Sequence, residues 1–468
     1  MIFTSLDFLI FFLSVFALYW LARERRWQNA LLLAASYIFY GWVHPWYALM
    51  LGVSTLADYF IARGMIIRPE RKRGLLALSL LVNLGVLAFF KYYNFFGPAL
   101  VSALNGLGLQ ADPLLVRILL PAGLSFYTLK KLGYILDVSN GTLKPSHTLL
   151  DFALYVSFFP QIVAGPIDRP RSLLPQLEAT RVWKAEHFHR AWPLLVMGLF
   201  KKIVIADTIS SIVGRIFDLN HPNLVLILPA TLGYTLQILA DFSAYTDLSR
   251  GIALLLGFET SENFKNPYLS LSPTEFWNRW HITLSTWLRD YIFFPLRRAL
   301  MRSQRPLPDW VIQSAPPLVT MLVSGIWHGA GWTFIAWGGM YGLLIVLYQL
   351  AGLRGEWKPQ GRVSVFFAWL VMFTFIAFGW LLFRSHSLAW AFQALFTNPF
   401  LSTLEERAVG LATLSLTLFY SAPLALKLLM DRYLPPDSYF HAFYYAAATL
   451  AIIVFLNAST SDFIYFQF

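Results

Sequence analysis

Leu322–Gly342 reads LVSGIWHGAGWTFIAWGGMYG, a run in which His328 is the one side chain that titrates near neutral pH. A spanning helix needs about 20 mostly apolar residues, within a range of about 17–25. The stretch belongs to two such segments, 311–327 and 331–352, that meet at the turn around His328. The fold expected is therefore all-α and transmembrane. An ionisable side chain inside a membrane segment is costly, and by default it marks a functional site. Gly325, Gly329 and Gly331 flank the histidine and leave room for a substrate or another backbone to come close. Imidazole is suited to removing a hydroxyl proton near neutral pH. The same residues also suit a histidine hydrogen-bonded between packed helices, with glycines at the contact.

The rest of the chain agrees with a membrane fold. Of its 468 residues, 57% are hydrophobic and 13% charged, against about 25% charged in an ordinary soluble domain. Its 17 Trp, 22 Tyr and 41 Phe suit extensive surface at headgroup depth. The absence of cysteine excludes disulfides, thiolate metal sites and a cysteine nucleophile. The net charge of +11 fits loops beside anionic lipid rather than nucleic acid. Further apolar segments are 5–22, 28–43, 46–62, 74–96, 113–136, 191–216, 223–250, 363–383, 409–429 and 440–458, so ten to twelve spans are predicted. The apolar stretch 148–166 contains Pro160, Gly165 and Pro166. It reads as a broken or re-entrant piece, which survives at membrane depth only when buried in protein or lining a cavity.

Lys and Arg set the orientation. The turn after the first span carries Arg23, Arg25 and Arg26, and that after the third carries Arg63, Arg68, Arg71, Lys72 and Arg73. The alternate loops 44–45 and 97–112 carry none. The positive-inside rule then places 137–190, 251–310 and 353–362 in the cytoplasm and both termini outside. The first apolar run precedes its positive charges, the reverse of a signal peptide, and reads as a retained span. With no fixed repeat and no long polar stretch, residues 1–468 read as one membrane domain.

A second informative stretch is Ser270–Leu296, SLSPTEFWNRWHITLSTWLRDYIFFPL. Ser272, Pro273 and Glu275 form a helix-start signature. From there Trp277, Trp280, Leu284, Trp287 and Tyr291 recur at helical spacing, with His281 beside the stripe. A helix this polar, rich in Trp and Arg, should lie at the interface or line a cavity. A plain interfacial anchor would look the same.

These two blocks resemble the signature blocks of the membrane-bound O-acyltransferase family, and more narrowly its bacterial branch that acetylates exopolysaccharides such as alginate or cellulose. Shorter matches include Leu120–Tyr127, Ala164–Ile167, Asp241–Asp247 and Asn263–Tyr268. The signature core runs over about 120–342. The resemblance implies re-entrant and interfacial helices around a central channel in a bacterial inner membrane, with both termini periplasmic. It maps the active-site histidine to His328 and the second motif histidine to His281. Trp280, Arg289, Asp290, Trp327 and Asp241 are further candidates for lining the channel or positioning substrate. It also implies acetyl-CoA as acyl donor with no bound cofactor or metal, and an exported acetyltransferase partner working with polysaccharide synthesis and export machinery. Nucleic acid is not an expected partner. Asn278, Arg297–Ala299 and Tyr341 depart from the branch pattern, which weakens assignment to any one polymer.

Three other readings stand beside this one. The sister branch transfers D-alanine from a carrier protein to teichoic acid. A transporter without a covalent step would also use broken helices and buried charge. A scaffold for a synthase complex would need neither histidine. Elsewhere, His187 and His189 lack neighbouring metal ligands and read as surface. Asp241 and Asp247, six apart, do not share a helical face. Lys201, Lys202 and Asp207 read as a membrane boundary.

Overall fold

The computed structural model describes residues 1–108, 119–145, 148–304, 307–353, 357, 359–456 and 463. The described residues form helices and connecting turns, with no strand among them. Among the described residues, seven helices are long and apolar enough to cross a membrane: Pro45–Ile67, Pro69–Gly97, Leu224–Leu255, Asp309–His328, Trp332–Leu350, Arg362–Arg384 and Leu404–Tyr433. They account for seven of the twelve expected spans. Two more expected spans are the shorter apolar helices Leu6–Leu21 and Tyr439–Phe455. The last three appear as Arg25–Gly41, as Leu124–Ser139 and as a helix interrupted at Phe200–Ala206. The start of the expected span 113–136 and the end of 440–458 lie outside the described residues.

The chain forms two compact units. The first comprises Met1–Ala191 with Ser249–Ser261. In it the helix Leu149–Ser157 gives way to non-helical backbone that stays buried through Asp168, so the segment is broken as expected. Several of its polar groups find partners within the protein. Phe159 N–H donates to Ser36 Oγ at 3.1 Å. Lys130 Nζ donates to Gln161 Oε1 at 3.0 Å, and Gln161 Nε2 to Asp168 Oδ2 at 2.5 Å. Irregular backbone in an apolar bundle needs such partners because no water is there to supply them.

The second unit comprises Trp192–Leu248 with Glu262–Phe468, and contains both candidate histidines. Its central element is the hairpin of Asp309–His328 and Trp332–Leu350, turned by Gly329, Ala330 and Gly331. A Cβ on Gly325 would collide with the Phe334 carbonyl oxygen, and one on Gly338 with that of Met321. Small residues thus bring the two backbones into direct contact, where van der Waals packing holds apolar helices together. Gly338→Ala is expected to destabilise the protein by about 1–3 kcal/mol through overpacking. Gly339→Ala, whose Cβ would meet only Leu322 Cδ2 at 3.8 Å, is expected to be neutral or slightly stabilising. Thermal unfolding of both variants in detergent checks the pair.

The helix start at Ser272 is as read. Ser272 Oγ accepts from Glu275 N–H at 3.2 Å, and Glu275 Oε2 accepts from Leu271 N–H at 2.8 Å. The continuous helix expected from it is not there. Helix Pro273–Trp277 stops, a second runs Ile282–Leu288, π-helical turns continue over Arg289–Phe293, and Phe294–Met301 completes the segment. The break has a tertiary cause. Lys265 N–H donates to the Arg279 carbonyl at 2.9 Å, and Ile282 N–H to the Asn263 carbonyl at 3.0 Å. Backbone bonds that would have continued the helix go to residues 263–265 instead.

Candidate functional site

His281 sits in that break. Its backbone is left-handed, φ +43°, a conformation a few per cent of non-glycine residues adopt and one in which histidine is over-represented. Such strain persists only where the surroundings over-determine it, and it clusters at functional sites. Here Asn263 Oδ1 accepts from the Thr283 N–H at 3.0 Å and from the Thr283 hydroxyl at 2.7 Å. Asn263→Ala removes that acceptor and is expected to cost about 1–3 kcal/mol. Asn263→Asp, which keeps it, should retain most of the stability. Denaturation midpoints of the two variants separate the outcomes.

His281 is 1% exposed. Phe242, from the helix Leu224–Leu255, meets its ring edge-on at a centroid distance of 4.8 Å. His281 lies outside the candidate spans, and burial pushes its imidazole down to about 3, so it is uncharged at neutral pH.

His328 ends the helix Asp309–His328 and is 6% exposed. Among the described residues, three rings pack against it. Trp327 stands at 4.9 Å, Trp337 at 5.1 Å and Phe383 at 5.2 Å, all edge-to-face. Trp327 also meets the His281 ring at 6.4 Å. The two histidines, 47 residues apart in sequence, therefore share one indole as neighbour. Imidazole can accept a proton from a hydroxyl and pass it on, and low local polarity strengthens electrostatic interactions.

The remaining candidates divide. Trp280 belongs to this aromatic core, between Phe276 at 5.9 Å, Tyr268 at 6.1 Å and Trp380 at 4.7 Å. Arg289 and Asp290 are half exposed and pair with each other at 3.2 Å. Asp241 is buried in an ion cluster: Lys202 Nζ lies 3.0 Å from Asp241 Oδ1 and 2.8 Å from Asp207 Oδ1. Lys201 Nζ pairs with Asp247 Oδ2 at 2.6 Å. Lys201, Lys202 and Asp207, read from the sequence as a membrane boundary, are all buried within the protein. The two lysines sit in the π-helical segment Phe200–Ala206, and local π geometry is frequent at functional sites. Phe242, next to Asp241, is one of the rings that pack on His281, so the ion cluster adjoins one wall of the site.

Sequence reasoning did not single out Trp337 and Phe383. Trp337 lies inside the quoted block but reads there as one more apolar residue. Phe383 is 55 residues beyond His328 at the end of a plain apolar helix, where no local signal marks it.

A family model described as the membrane-bound O-acyltransferase family matches residues 142–383. With this arrangement of histidines in a multi-pass helical protein, the chain belongs to that family and is an O-acyltransferase. A probable alginate O-acetylase of Pseudomonas aeruginosa is 36% identical over 454 residues, covering 91% of this chain and 84% of the relative. A peptidoglycan O-acetyltransferase of Helicobacter pylori is 32% identical over 414 residues, covering 82% and 76%. A teichoic acid D-alanyltransferase of Bacillus subtilis is 28% identical over 272 residues, covering 56% and 68%.

Proposed function

We propose that this protein takes an acetyl group from a cytoplasmic thioester, acetyl-CoA, and delivers it across the bacterial inner membrane for O-acetylation of an exopolysaccharide of the alginate type. An exported partner enzyme finishes the transfer. In this reading His328 is the general base: it removes the acceptor's hydroxyl proton as the oxygen attacks the thioester carbon. The C–O bond forms, the C–S bond breaks, and the proton passes to the departing thiolate. His281 orients the acceptor or stabilises developing charge. Trp280 and Trp327 position substrate around a central channel, with Arg289, Asp290 and Asp241 as further polar positions along it. Residues 251–310 face the cytoplasm and both termini the periplasm, and the whole chain works as one membrane domain.

The observation that carries this reading is the pairing of two buried histidines across Trp327 inside the family-matched segment. The acetylase names of relatives covering most of the chain favour acetyl over D-alanyl. The test supplies inside-out membrane vesicles from polymer-producing cells with acetyl-CoA labelled in the acetyl carbon. Label appearing as base-labile ester on the polymer, and only when this protein is present, supports the reading. Transfer only from a D-alanyl carrier protein moves the assignment to the sister branch. Passage of label without ester formation leaves a transporter, and loss of complex assembly alone leaves a scaffold.

A further inference from the structure

A cavity of about 250 Å³ lies in the second unit, lined among others by Trp277, Leu284, Leu288, Met321, Ser324 and Ile345. Its wall residue Trp277 meets Trp337 edge-on at a centroid distance of 5.6 Å and an interplanar angle of 89°. Trp337 in turn meets His328 edge-on at 5.1 Å and 81°. The Trp337 indole therefore touches both the cavity wall and the imidazole. It is fully buried, and its Nε1 has no hydrogen-bond partner among the described residues. Phe383 closes an adjacent side, 5.6 Å from Trp337 and 5.2 Å from His328. The enclosure has little slack: a Cβ on Gly329 would run into the Phe334 ring, which itself packs on Phe383 at 5.0 Å.

The geometry points to Trp337, seconded by Phe383, as the residue that limits the transferred acyl group to two carbons, by filling the volume between His328 and the cavity wall at Trp277. This rests on reading His328 as the group at which transfer occurs. In that reaction the acceptor oxygen bonds to the carbonyl carbon, the carbon–sulfur bond breaks and the acceptor's proton ends on the thiol. The alkyl part of the acyl group changes no bonds, so its acceptance is a question of room. A pocket discriminates about 10–200-fold per methylene. Replacing the indole by a smaller side chain leaves Trp277 at the cavity wall but vacates the volume between Trp277 and His328, which gives a longer chain somewhere to go.

The test uses inside-out vesicles from polymer-producing cells, supplied with equal acetyl-CoA and hexanoyl-CoA, and measures polymer-bound acetate and hexanoate. Unaltered protein is expected to give acetate almost alone. Trp337→Leu is expected to raise the hexanoate-to-acetate ratio by about 10-fold or more, Phe383→Ala to raise it less, and Trp337→Phe to leave it near the unaltered value. An unchanged ratio in both Trp337→Leu and Phe383→Ala overturns the inference. So does an equal shift in Trp337→Phe, or loss of all transfer in both smaller variants at normal membrane levels. If Trp337→Leu alone is inactive, the ratio in Phe383→Ala decides. No transfer by the unaltered protein from either thioester sinks the proposed function instead.

Discussion

His328→Ala is expected to lower acyl transfer by about 10²–10⁴-fold, the usual contribution of a positioned general base. The loss should fall on kcat, because the imidazole acts on the proton in flight and not on donor binding. The variant also removes a ring packed against Trp327, Trp337 and Phe383, so stability has to be followed alongside. A purely structural histidine predicts a fall in melting temperature in step with activity. A general base predicts activity loss in protein that remains inserted and melts near the unaltered temperature, with part of the rate restored by added free imidazole. Transfer within a few-fold of the unaltered rate would end the proposed mechanism. His281→Asn is the companion, since asparagine tolerates the left-handed backbone at φ +43°. It should cost less than His328→Ala if His281 orients the acceptor and does not itself take the proton.

Lys202→Met is expected to destabilise the protein by about 3–5 kcal/mol, the cost of removing one partner from a buried ion cluster. Lys202 lies within 3.0 Å of both Asp207 and Asp241, and the three side chains are 7%, 3% and 4% exposed. Removing the ammonium leaves two carboxylates close together without the cation they share, in surroundings that solvate charge poorly. Thermal unfolding in detergent, with the fraction inserted, reads the effect. Lys202→Arg should recover part of it. A double variant, Lys202→Met with Asp241→Asn, should be less damaged than the sum of its parts, because the two sites are coupled. Because Phe242 packs on His281, activity should fall along with stability. A loss under about 1 kcal/mol would mean that water or lipid headgroups reach the cluster and screen it.

The sequence by itself determined whatever depends on near neighbours along the chain. Apolar run length marked the seven long helices, and Pro160, Gly165 and Pro166 marked the broken segment after Ser157. The Ser272–Glu275 pattern placed a helix start correctly because a cap is made by residues three apart. Glycines around His328 announced a close approach of backbone, and His328 stood out because it is a lone titratable group in an apolar run. Tertiary structure alone decided the rest. The stripe from Trp277 to Tyr291 has sound helical spacing, yet the helix breaks at His281, because residues 263–265 take its backbone hydrogen bonds and Asn263 caps the helix that begins at Ile282. Asp241 and Asp247 point to different sides of their helix, as their spacing required. Both are nonetheless paired, because adjacent lysines on a π-helical turn diverge and each takes one. Phe383 reaches His328 from a helix whose own sequence shows only hydropathy. Hydropathy and capping are properties of a segment and can be read within it. Which ring closes on an imidazole is a property of two segments brought together by folding, and is specified only by the contact between them.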